Sequence, residues 1–229
     1  MTLKRYTRNS KPITVNYGLV SELDYIFDYI QKDNPAVLDI VKRIRHKDPD
    51  RIIEEATRTV CRLIKYPFTW KGKPSTERKV LIFKAAGPIY HFELSSKYGW
   101  LKPAQTLRVK YGLCIDTSLL LASLLLAKNI PCKVVLGAII DAKTKQFLGF
   151  HAWVETTYKN KICIIETTAG PNPLPIIDKA AAERGYRGII YDGFAWFDDQ
   201  EYFEDVKKLK KYDKLTRGVV EWEFENPSH

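Results

Sequence analysis

The run "TSLLLASLLLAK", residues 117–128, constrains this chain more than any other stretch. Leu119, Leu120, Leu121, Leu124, Leu125 and Leu126 leave it without a polar face. A helix that is apolar all the way round can exist in water only if it is surrounded by the rest of a domain. The residues just ahead, "YGLCID", put Cys114 in or immediately before the first turn of that helix. There the unpaired backbone amides and the helix dipole favour a thiolate over a thiol. Cysteine is also among the most often buried residue types, so position alone leaves packing and nucleophile both open.

The chain of 229 residues is long enough for one large domain with its own core. Apolar positions at helical spacing predict helices over 19–31, 36–46 and 50–65, with Pro35 and Pro49 at the starts of the last two. A loop-rich region, 66–107, carries Pro67, Pro74, Pro88 and Pro103. After Asn129 and Pro131 close the buried helix, β-branched runs predict strands over 132–140, 147–155 and 161–167. Helices followed by a strand meander define an α+β domain: N-terminal helices, a central buried helix and an antiparallel sheet. The expected division is a helical extension over 1–49, a core over 50–170, and a C-terminal extension over 171–229. That last segment runs from an acidic aromatic stretch into a lysine-rich helix, and its aromatics are expected to pack on the core.

The strands hold a second piece of chemistry. "FHAWVE" alternates, placing His151, Trp153 and Glu155 on one face; "KICIIE" does the same for Ile162, Ile164 and Glu166. A two-residue turn at Tyr158 and Lys159 would set His151 directly opposite Glu166. A shift of two residues would keep both on one face, whereas a slip of one would separate them. Of His46, His91, His151 and His229, only His151 lies in an apolar strand. A buried carboxylate orients such a ring and stabilises its charged form, and the other ring nitrogen can then take a proton from a thiol. The alternative is a strand-edge histidine paired with a surface glutamate.

Composition excludes several classes. Cys61, Cys114, Cys132 and Cys163 have no paired spacing and read as reduced thiols, neither a disulfide framework nor a zinc site, so no metal and no other cofactor is expected. Cys163 and Glu166 are an odd number apart, so on one strand they face opposite sides and cannot share a metal. The N-terminus is basic without an apolar core, and the run Ile115 to Ala127 is too short to cross a bilayer. A soluble cytoplasmic protein without a membrane partner is expected; the oligomeric state is open. The net charge is +10, and residues 51–110 hold 13 Lys and Arg against 4 Asp and Glu. No helix-turn-helix, zinc finger or RNA-binding signature accompanies that excess, which argues for a solvated surface over a nucleic-acid site.

Taken in order, "YGLCID…LLLAKNIPCKVVLG…HAWVE…IIETT" resembles the transglutaminase-like superfamily, over roughly residues 50–170. The resemblance implies a papain-like Cys–His–acid triad and acyl chemistry. It carries over Cys114 as nucleophile and His151 as base, with Glu166 where the family usually has aspartate. Thr106 and Leu107 resemble the family's lead-in to the cysteine, with Gln105 just ahead. A tetrahedral oxyanion would be met by the Cys114 amide and one further donor, for which Gln105, Trp100 and Tyr98 are candidates. The family includes cross-linking transferases, proteases, deglycosylating amidases and proteins without catalysis. The expected function is therefore a thiol peptidase or amidase acting on a peptide or protein through a Cys114 thioester. The alternatives are a protein-glutamine acyltransferase and a non-catalytic binding module.

Overall fold

The computed structural model describes residues 3–8, 26–66, 81–84, 90–93 and 100–212. Most of the helix expected over 19–31 lies outside them; its end, Ile26–Tyr29, is a 3₁₀ turn. The other two N-terminal helices form as α1, Pro35–Val41, and α2, Pro49–Leu63. Each starts on proline behind a side-chain cap: the Asn34 carboxamide accepts from the Ala36 amide, and the Asp48 carboxylate accepts from the Arg51 amide.

Three short elements occupy the region read as loop. Leu81–Lys84 (β2) and Tyr90–Glu93 (β3) pair antiparallel, and Pro103–Val109 forms α3. Four-residue strands and a seven-residue helix are too short for either period to register in the sequence. The buried helix is α4, Cys114–Ala127, and every residue from Ile115 to Leu125 is buried. It packs on β4, Cys132–Asp141, and β5, Phe147–Tyr158, while α1, α2 and α3 close around its other sides.

The chain forms one seven-stranded sheet that includes β1 (Leu3–Thr7), β6 (Lys161–Ile165), β7 (Ile176–Asp178), β8 (Ile189–Phe197) and β9 (Glu201–Asp205). Its order is β1-β9-β8-β4-β5-β6-β7, antiparallel throughout. The α+β class expected from the sequence is thus the class of the structure. The sequence reading differs in where the sheet ends. The segment read as a C-terminal extension supplies β8, which lies between β4 and β9 near the middle of the sheet, and helix resumes only over 206–212. The N-terminal stretch likewise supplies a strand, β1, against β9. Charged residues concealed both contributions: Lys4 and Arg5 in the N-terminal strand, and Asp192, Glu201 and Glu204 in the C-terminal ones. In the fold, Lys208 meets Asp192, Arg5 meets Glu201 and Lys4 meets Glu204.

The two faces of the sheet carry separate cores. Ala152, Val154 and Ile165 join Leu119–Leu125 on the α4 side. Val135, Trp153, Ile164 and Tyr191 gather on the other face, under Ala182 of α5, Lys179–Gly185. Gly137 permits this second core: a Cβ there would lie 2.7 Å from the Asp192 carbonyl oxygen and inside the Trp153 ring.

Candidate active site

Cys114 takes the first position of α4, with the extended Leu113 as the residue ahead of the helix. The turn is shaped by Asp116, which is fully buried: its carboxylate accepts from the Leu113 amide at 2.8 Å and from the Leu101 amide at 2.7 Å. One carboxylate thereby satisfies an orphan donor of the helix start and ties it to the preceding segment. Gly112 fits where it does because a Cβ would approach the Asp116 Cβ to 2.9 Å. The backbone of Lys65 runs alongside, with its amide on the Lys110 carbonyl and its carbonyl accepting from Gly112.

The β5–β6 hairpin brings the acid to the base, but not through the turn expected. Tyr158 pairs with Lys161, so the two-residue turn is Lys159–Asn160, one residue later. Both have positive φ, 49° and 60°, the conformation of the hairpin turn that suits strand twist. The register is therefore two residues from direct opposition, and Glu166 follows the end of β6 on the same face as His151. A glutamate is long enough to reach diagonally, and His151 Nε2 hydrogen-bonds Glu166 Oε2. The His151 and Glu166 side chains are 11% and 8% exposed, so the pair is out of water.

Each remaining lone pair of that carboxylate has a partner. Oε1 accepts from the Thr168 amide at 2.9 Å and hydroxyl at 2.6 Å, and Oε2 accepts from the Tyr191 hydroxyl at 3.4 Å. Burial alone would raise the Glu166 pKa; the His151 charge and these hydrogen bonds outweigh it and hold it low. For His151, burial pulls the pKa down. The Glu166 carboxylate, the charge of Cys114 and the hydrogen bonds to both prevail, and the ring holds its proton well above the ordinary 6.5. With Nε2 on Glu166, Nδ1 is the nitrogen left for Cys114.

The structure thus brings the trio to one place: His151 and Glu166 are hydrogen-bonded, and Cys114 is close enough to act on the His151 proton. Of the three candidate oxyanion donors, the two described ones are engaged elsewhere. Gln105 is exposed on α3, with its Oε1 accepting from the Lys102 amide at 2.8 Å. Trp100 is buried, stacked on Phe197 and edge-on to Tyr29. Tyr98 lies outside the described residues. Sequence reasoning missed Tyr66, whose hydroxyl is kept protonated by burial and by the charges of Cys114, Glu166 and Asp116. It missed Tyr191 as well, since nothing local marks a tyrosine that becomes a neighbour only through the sheet. Asp116 left a signal, being the one charge inside the apolar run.

The other three thiols sit differently. Burial, then the Glu166 charge, pushes Cys61 up to about 11; burial also raises Cys132 and Cys163. Among the described residues no group of three or more His, Cys, Asp or Glu is placed to hold a metal ion, and no helix is long and apolar enough to cross a membrane.

Residues 68–163, which include Cys114 and His151 and end short of Glu166, are similar to the core of the transglutaminase-like superfamily. Among individual proteins, UPF0252 protein MJ1282 of Methanocaldococcus jannaschii is 25% identical over 174 residues, 72% of this chain and 44% of that protein. The chain therefore spans less than half the length of this relative. Of solved structures, Legionella pneumophila LapG aligns over 80% of this chain and 84% of its own, with 15% identity and a TM-score of 0.46. A candidate cysteine protease from Cytophaga hutchinsonii aligns over 88% and 69%, with 15% identity and a TM-score of 0.39.

Proposed function

We propose that this protein is a thiol hydrolase that cleaves an amide bond of a peptide or carboxamide substrate through a Cys114 thioester. The observation that carries the reading is the buried His151–Glu166 pair beside Cys114, the residue that opens helix α4.

The steps follow from the parts. The Cys114 thiolate adds to the carbonyl carbon, forming the C–S bond, and the oxygen becomes an oxyanion beside the first-turn amides of α4. The His151 proton passes to the leaving nitrogen as the C–N bond breaks, leaving a thioester and a neutral imidazole. Water then adds to the thioester and gives a proton to His151. Collapse expels the thiolate and restores the starting pair. Glu166 supplies fixed negative charge, so the imidazolium persists between turnovers and the ring keeps its orientation.

The test is turnover of peptide and glutamine-amide libraries by the full chain, with Cys114→Ala as control. Release of acid and amine that disappears in Cys114→Ala supports hydrolysis. Incorporation of an added primary amine in place of water would make the chain an acyltransferase. No Cys114-dependent turnover of any library member would sink the enzymatic reading.

A further inference from the structure

Three segments must stay in register for the site to operate: the first turn of α4, which carries Cys114; the first half of β5, which carries His151; and residues 166–168 beyond β6. The second and third are joined by the β5–β6 hairpin and by the His151–Glu166 contact. The first is a separate stretch of chain, and it is tied to the third by a side-chain bridge outside the trio. Thr117, one turn after Cys114, meets Thr167, the residue after Glu166, with their hydroxyl oxygens 2.7 Å apart. Both residues are buried, at 2% and 4% exposed.

The proton inventory gives this bridge a direction. The Thr117 hydroxyl lies 3.0 Å from the Leu113 carbonyl and 3.1 Å from the Cys114 carbonyl, both acceptors, so its single hydrogen is directed at the backbone that carries the nucleophile. Thr167 must then be the donor across the bridge. The Thr167 carbonyl in turn accepts from Cys61 Sγ on α2 at 3.5 Å. Residues 166, 167 and 168 are thus each anchored: Glu166 to His151, Thr167 to α4 and α2, and Thr168 to the Glu166 carboxylate.

We infer that Thr117 and Thr167 are positioning residues, a hydroxyl clasp that sets the Cys114 sulfur at working distance from the imidazole held by Glu166. They touch no reacting atom; they fix the separation between the segment that bears the nucleophile and the segment that bears the acid. A small misplacement of reacting groups costs rate far out of proportion to its size. A methyl group in place of either hydroxyl keeps the volume and removes the tie. The inference rests on the thiolate chemistry proposed above, and its test does not need a known substrate.

The experiment reads alkylation of Cys114 by iodoacetamide in the full chain between pH 5 and 9, by peptide mass spectrometry, with Cys61, Cys132 and Cys163 as internal references. Wild type, Thr167→Val, Thr117→Val, the double variant and Thr167→Ser are compared. At pH 6 each valine variant should react roughly tenfold more slowly at Cys114, and its rate profile should move toward that of an ordinary thiol. The double variant should be no slower than the slower single one, because both remove the same bridge. Thr167→Ser, which keeps the hydroxyl, should return to within about twofold of wild type. If Thr167→Val does not fold, Thr167→Ala against Thr167→Ser makes the same comparison with less bulk. Unchanged Cys114 rates and profile in the valine variants, with a reactive wild type, would overturn the clasp alone. Single effects that multiply in the double variant would do the same. A wild-type Cys114 no faster than Cys61 would overturn the thiolate reading, and the clasp with it.

Discussion

Two buried carboxylates, Glu155 and Glu166, occupy the same face of the sheet. Glu155 and His151 share one face of β5, yet one end of this row holds a structural ion cluster and the other the candidate site. The Glu155 side chain is 4% exposed and is met by Lys179 at 2.9 Å, Lys133 at 3.3 Å and the Trp153 indole N–H at 3.4 Å. Glu166 is equally buried, but its cationic partner is a histidine that also contacts a thiol. A lysine ammonium gives a buried carboxylate fixed charge. An imidazolium gives it charge that can be handed to a leaving group and taken back. Burial therefore does not distinguish the two ends; the identity of the partner does.

The largest effects should come from the reactive end. In the turnover assay Cys114→Ala should abolish activity, and His151→Ala should lower kcat by roughly a thousandfold or more, since no proton carrier remains. Glu166→Ala should leave measurable activity, and Glu166→Asp, which keeps the charge with shorter reach, should retain more. Equal losses for Glu166→Ala and Cys114→Ala would mean that the acid does more than orient and stabilise the ring.

Exchanging the charge at each end tests the contrast directly. Glu166→Gln should slow Cys114 alkylation at pH 6, whereas Glu155→Gln should leave that rate unchanged and lower unfolding stability in urea by about 2 kcal/mol, the scale of a lost charge-assisted hydrogen bond. A Glu155 variant that altered Cys114 reactivity would break the separation between the two ends.

The pH dependence should also divide them. His151 is raised above 6.5 in the fold, so the stability it contributes is complete below 6.5 and is lost as pH rises through the folded value. Glu166 is lowered from 4.5, so its contribution is present above 4.5 and is lost as pH falls through its folded value. The stability gap between wild type and Glu166→Gln should therefore be widest between 4.5 and 6.5 and narrow on both sides. The His151 ring resonance, followed by NMR, should still report the protonated form above pH 6.5. A His151 titration at the ordinary value would remove the charged pair.

The smallest effect concerns the turn that sets which carboxylate meets which base. Asn160 has φ 60°, so Asn160→Gly should be neutral or stabilising by less than about 1 kcal/mol, and Asn160→Val should cost about 1 kcal/mol or more. Thermal unfolding checks both.

Much of this site is legible in the chain. Period-two alternation puts His151 and Glu166 on one face whichever two-residue turn forms, because moving the turn by one residue shifts the pairing by two. Cys114 is marked by the wholly apolar helix behind it. What the sequence does not display is whatever depends on distant segments meeting: Tyr66 and Tyr191 near Glu166, the Thr117–Thr167 contact, and the strands at 3–7 and 189–205. Those strands are built from residues whose charges are satisfied only across the sheet, so local pattern reads them as surface.

The position of β8 also dictates an order of events during synthesis. When residue 165 has left the ribosome, Cys114, His151 and the β4–β5–β6 hairpins can exist, but one edge of β4 has nothing to pair with until residues 189–197 follow. The strand at 3–7, made first, waits for residues 201–205, made some two hundred residues later. Closing such distant pairs is slow, and the open edge of β4 is a template for another chain in the meantime. A nascent chain of this protein thus holds Cys114, His151 and most of its described helices before it holds a finished sheet, and the late strands decide when that site becomes a folded one.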